Sequence, residues 1–136
     1  MSENCHERLR GLEPHLRQRL KGQDHLLPLA AAAFHRGDLG LAAPDRVRGS
    51  FLLVGPTGTG KTELMRLCGN YLFGPEHLVE FDLSEYGRDD AVARFLGADM
   101  TDCGAFGRAM RGHTRGIVLF DELEKAHGRL WDLFLQ

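Results

Sequence analysis

Cysteine is scarce in this chain: Cys5, Cys68 and Cys103 are the only three in 136 residues. They are odd in number and far apart, which argues against a disulfide framework and for a reducing compartment. Metal-ligand spacing is missing as well. Cys5-His6 has no C-x-x-C or H-x-x-x-H partner, so no metal-thiolate site is expected, and the scattered histidines read as solvated side chains. Neither sign of charge dominates, with 17 Lys and Arg against 19 Asp and Glu and a net charge of −2. Such a balance provides no general field for nucleic acid or an anionic membrane, and neither partner is expected. The longest uncharged apolar stretch, 26–34, is too short to span a bilayer, and no signal-peptide pattern opens the chain. Internal repeats and low-complexity segments are absent.

What is present is the pattern of one α/β domain. Leu9, Leu12, Leu16 and Leu20 recur at steps of three and four, predicting an amphipathic helix over 3–20 despite Pro14. Gly22-Gln23-Asp24 interrupts it, with Asp24 placed to cap a second helix running to about Phe34. Residues 36–48, with two glycines and Pro44, read as a connecting loop. Strand and helix then alternate. Strands are predicted at 51–54, 78–82 and 117–120, with helices at 61–72, 91–96 and 106–111. That order implies a parallel sheet with helices on its faces. Residues 1–48 are expected to form a helical segment leading into a core at 49–136.

Two motifs carry chemistry. GPTGTGKT, residues 55–62, has the spacing G-x-x-x-x-G-K-T between a predicted strand and a predicted helix. Gly55, Gly58 and Gly60 let successive N–H groups face inward around a phosphate, and Pro56, Thr57 and Thr59 complete the loop. The following helix aims its positive end at the same point. Lys61 is the residue expected to reach the β- and γ-phosphates of ATP, and Thr62 to offer its hydroxyl to Mg²⁺. The second motif is IVLFDE, residues 117–122. Four apolar residues followed by two acids suit a covered strand whose carboxyl end meets a ligand. Asp121 is expected to orient the Mg²⁺ shell and Glu122 to polarise an attacking water.

These stretches resemble the AAA+ ATPases of the ClpA/ClpB type, in particular their second ATPase module. The resemblance rests on Gly22-Gln23 before a helix, GSFLLVGPTGTGKTEL at 49–64, FDLSEY at 81–86 and LFDELEKAH at 119–127. It implies a P-loop core sheet, Gln23 near the adenine, ATP and Mg²⁺ as ligands, Lys61 and Glu122 as catalytic residues, hexameric assembly, protein substrates and a cytoplasmic location. It also implies a sensor-1 strand between the phosphate-loop strand and the Walker B strand, then an arginine finger and a helical lid. All three would lie beyond Gln136, so the expectation is the N-terminal part of a module, with an incomplete sheet and little turnover of its own.

One further departure concerns the family's glycine–aromatic pore loop. Residues 97–116, GADMTDCGAFGRAMRGHTRG, are shorter and hold one aromatic, Phe106; counting back from Asp121 places it on the following helix, where the resemblance implies an apolar packing residue. Three functions remain open on these grounds. They are an ATPase coupled to protein remodelling, a nucleotide-binding interaction module, and a chain with no independent activity.

Overall fold

The structure, a computed structural model, describes residues 3–38, 47, 49–56, 58–99 and 101–134, with side chains of 3–6 and 38 left aside. It groups the chain into two compact units, Met1–Gly74 and Pro75–Gln136.

The first unit is helical. Helix α1 (Glu3–Arg19) turns Leu9, Leu12 and Leu16 inward and contains Pro14 on its exposed face, where the carbonyl left without its helical partner can be solvated. Helix α2 (Leu27–Asp38) contributes Leu27 and Ala31, and α3 (Lys61–Leu72) contributes Leu64, Met65, Cys68 and Leu72. Both pack on α1. Where α1 meets α3, Gly11 allows a close approach: a Cβ there would sit 2.3 Å from the Tyr71 hydroxyl. His15 lies tilted against the same ring with centroids 4.1 Å apart, and Arg8 donates to the Leu72 carbonyl at 3.2 Å. Burial in this interface pushes the Cys68 thiol up to about 12, so Cys68 is packing material rather than a nucleophile.

Two expectations in this unit are corrected. Asp24 does not cap the second helix, which begins three residues later at Leu27. Its carboxylate instead accepts from Arg17 at 3.2 Å, so Asp24 belongs to a turn tied back to α1. Residues 51–54 are not a strand. They have no regular structure: Leu52 is 77% and Val54 85% exposed, Leu53 is half-buried, and the Phe51 ring lies against the Phe34 ring at 5.1 Å. A strand exists by virtue of its ladder, and among the described residues no second strand pairs with this one. Of the predicted loop at 36–48, residues 39–46 and 48 lie outside the described residues.

The second unit holds the sheet. Strands β1 (Leu78–Asp82) and β2 (Ile117–Asp121) pair in parallel, register Leu78 opposite Ile117 and Asp82 opposite Asp121. Parallel strands need a long crossover, provided here by α4 (Ala91–Leu96) and α5 (Gly104–Met110). Helix α6 (Gly128–Phe134) follows β2. An aromatic cluster fills the space between them. Phe95, 2% exposed, has Phe81, Tyr86, Phe106, Phe120 and Phe134 around it at centroid distances of 5.2–6.2 Å. Phe106 thus sits on α5 as a packing residue, against Phe81 and Phe95. Rings of this size dominate a small core by their area alone, and tilted pairs add to it. The fold is α/β with a parallel sheet. No described helix is long and apolar enough to cross a membrane.

Candidate functional site

The first set of site residues lies where 51–54 run into α3. Gly60 is the residue just before that helix, with φ +83°, and Gly58 has φ +79°. Both positions are left-handed, where any other residue is strained. The Gly60 carbonyl accepts the first helical bond, from Leu64 N–H at 2.9 Å. Lys61, first residue of α3, folds back over the loop and donates to the carbonyls of Gly55 at 2.8 Å and Pro56 at 2.7 Å. The Thr59 hydroxyl donates to the same Pro56 carbonyl at 2.9 Å. Thr57 lies outside the described residues. Thr62 is in the first turn of α3 and is engaged in an interaction of its own.

Gln23 meets this loop directly. Its side-chain amide donates to the Thr59 carbonyl at 3.1 Å. The structure therefore brings Gln23 together with residues 55–61, but as a brace on the loop backbone. A side chain that fixes one loop carbonyl reduces the conformations the loop samples, which is pre-organisation for whatever the loop binds.

The donor set fits an anionic phosphate ligand. An exposed ammonium, the orphan N–H groups of a helix start and glycines with open space beside them are the groups such a ligand needs; a Cβ at Gly58 would meet nothing within 4 Å. Lys61 already spans the loop, and its carbonyl partners are neutral acceptors that a phosphate oxygen outcompetes. The oxygens of Thr62 and Asp121 are of the hard type that suits Mg²⁺.

The acidic pair sits at the carboxyl end of β2. Asp121 Oδ1 accepts the backbone N–H of Glu122 at 3.0 Å. Glu122 has φ 56° and ψ 38° and is the one non-glycine with positive φ among the described residues. That conformation costs a non-glycine residue about 1–3 kcal/mol and persists where the surroundings over-determine it, often at functional sites. Here the fixing elements are the ladder to β1 before it and the single 3₁₀ turn Leu123–Lys125 after it. Lys125 N–H closes that turn on the Glu122 carbonyl at 2.9 Å.

Three residues of this end escaped the sequence reading. Asp82 is opposite Asp121 in the ladder, which no sequence pattern reveals without the register. Its carboxylate accepts the hydroxyl of Ser84 at 2.5 Å and the N–H of Ser84 at 2.9 Å, and these bonds hold it below the usual carboxylate range. Lys125 is the second, with Nζ 2.8 Å from Glu122 Oε2. The i,i+3 spacing in Glu-Leu-Glu-Lys is a signal for it, visible once the turn is known to be 3₁₀. His127 anchors the segment beyond, donating its N–H to the Tyr86 carbonyl at 2.9 Å, with its ring 3.2 Å from Asp89.

Comparison with known proteins follows the same lines. The family described as AAA domain (Cdc48 subfamily) matches residues 46–136, more than half of the chain. Heat shock protein 100 of Trypanosoma brucei brucei is 39% identical over 142 residues, covering 100% of this chain and 16% of that protein. Chaperone protein ClpB 1 of Nostoc sp. is 40% identical over 140 residues, covering 98% of this chain and 16% of its own length. Chaperone protein ClpB3, chloroplastic, of Arabidopsis thaliana is 37% identical over 142 residues, covering 100% and 15%. The chain belongs to the AAA+ ATPase family, of the ClpA/ClpB type. It spans 15–16% of the length of these curated relatives.

Proposed function

We propose that this chain is a nucleotide-binding part of an AAA+ ATPase core, which takes ATP with Mg²⁺ and serves a ClpB-like protein-remodelling chaperone. The observation that carries the reading is Lys61 lying across its own glycine loop, 2.7–2.8 Å from the Pro56 and Gly55 carbonyls. An ammonium in that place neutralises an anion seated among the loop N–H groups. Gly55, Pro56, Thr57, Gly58, Thr59 and Gly60 form the cradle, and Gln23 steadies it through Thr59. Thr62 and Asp121 are the residues that would hold Mg²⁺, which when bound neutralises phosphate charge. Glu122 accepts the proton of the water whose oxygen bonds to the γ-phosphorus, while the bond to the β–γ bridging oxygen breaks and ADP leaves with that electron pair. Hexameric assembly, protein substrates and a cytoplasmic location belong to the same proposal. So does the division of the chain into a leading helical segment, 1–48, and a core, 49–136. The relatives' chaperone names support protein substrates, the cysteine pattern supports a reducing compartment, and the division rests on the change from helical periodicity to strand–helix alternation along the chain.

A binding module without turnover is favoured by a different observation, the engagement of Glu122 by Lys125. Calorimetry with Mg·ATP tests the common ground of both readings. Binding is expected to be weak in the unaltered chain and lost in Lys61→Ala; unchanged affinity in Lys61→Ala would show that the phosphates sit elsewhere. Phosphate release from the same samples separates turnover from binding alone.

A further inference from the structure

The carboxylate assigned to water activation is not free to turn: one of its oxygens, Oε2, is taken by Lys125 Nζ at 2.8 Å. Both residues lie in one short stretch of backbone. Glu122 is held left-handed at the end of β2, and the 3₁₀ turn that follows places residue i+3 over residue i. The pair is therefore built into the local fold and needs no partner chain. Glu124 and Asp82 add further negative potential around the ammonium, and with Glu122 as the main cause they hold Lys125 above its usual range, so it stays charged throughout. The pair is also exposed, with side chains 33% and 58% accessible for Glu122 and Lys125. Exposed pairs of this kind bias an equilibrium by no more than about fivefold. A permanent structural tie would need more, whereas a latch that opens in each cycle needs no more than this.

We propose that Lys125 is a positioning residue that restrains Glu122, a latch that must release the carboxylate before it takes a proton from water. The inference rests on the ATPase reading above and assigns a regulatory element to the same site. While latched, Glu122 has one oxygen occupied by a cation and its swing limited to the arc Lys125 allows. Released, both oxygens become available to solvent. Because the latch is electrostatic and exposed, salt weakens it, and any contact that draws Lys125 toward another acid frees Glu122.

The test is single-turnover hydrolysis of radiolabelled ATP with protein in excess, on the 136-residue chain and its variants, with Mg·ATP binding measured on the same samples. Lys125→Ala is expected to raise the rate at saturation by up to about fivefold without changing affinity, and Lys125→Arg, which keeps the ion pair, to match the unaltered chain. Added salt is expected to accelerate the unaltered chain and leave Lys125→Ala unmoved. In the double variant with Glu122→Gln the gain is expected to vanish. A Lys125→Ala rate equal to or below that of the unaltered chain, with binding intact, overturns the latch. So does a gain that survives Glu122→Gln. Absence of Mg·ATP binding altogether overturns the ATPase reading instead, and the latch with it.

Discussion

Two stretches of four apolar residues lead into the two sets of candidate site residues, one in each unit, and they end up in opposite states. Ile117, Val118, Leu119 and Phe120 form a strand that pairs with Leu78–Asp82, with Phe120 packed among aromatic rings. Phe51, Leu52, Leu53 and Val54 are equally apolar but stay irregular and largely exposed, with no ladder among the described residues. Composition makes a segment able to be a strand; a neighbour with free N–H and C=O groups makes it one. The chemistry that follows each stretch differs in the same sense. The described loop residues 55, 56 and 58–61 are held by side-chain bonds from Lys61, Thr59 and Gln23, whereas the Asp121-Glu122 end is held by the ladder and the core beneath it.

The contrast breaks or sharpens most clearly at the packing level. Phe95→Ala removes the ring at the centre of the aromatic cluster and is expected to cost about 3–5 kcal/mol, enough to abolish cooperative urea unfolding of a marginal domain. Val54→Ala, in the exposed stretch, is expected to stay within about 0.5 kcal/mol. Similar costs for the two would mean that 51–54 is covered after all. A smaller effect is expected at the loop. Gly60→Ala forces a side chain into a left-handed position and brings its Cβ to 3.4 Å from Leu20 Cδ1, which should destabilise by about 1–2 kcal/mol and weaken Mg·ATP binding. Gly128→Ala in the other unit meets open space and has no such backbone demand, so its urea midpoint should hold or rise.

The smallest expected effect is at the strand end, through pH. Ser84 holds the Asp82 carboxyl below its ordinary value of 3.8, mainly by its hydroxyl and then by its N–H. The folded state thus favours the ionised form. The resulting stability is fully present above 3.8 and is lost as pH falls through the depressed folded value. Urea midpoints of the unaltered chain and Ser84→Ala should differ slightly at pH 6 and converge in acid. A difference that persists at the lowest pH would show that Ser84 acts by packing, not through the charge.

Much of the architecture was legible in the residues alone. The helix at 61–72 and the strand at 78–82 match the structure's bounds, and the strand predicted at 117–120 extends one residue to Asp121. Periodicity and glycine placement are local properties, which explains that success. Phe106 was legible as a packing residue through the family resemblance, once its distance to Asp121 placed it on the following helix. The failures were non-local. Asp24 has a capping side chain, but Arg17 seven residues earlier competes for its carboxylate, and the helix starts later.

The sequence by itself determined the glycine loop and the acidic strand end. Each needs particular residue types at fixed spacing, and that spacing is written in the chain. Only the tertiary structure decided which apolar stretch becomes a strand, that Asp82 stands opposite Asp121, that Gln23 braces Thr59, and that Lys125 engages Glu122. Those outcomes depend on ladder register, on a left-handed residue at 122 and on competition among several possible partners. Free-energy differences of a few kcal/mol settle such competitions, and they arise from contacts between residues that the order of the chain does not pair.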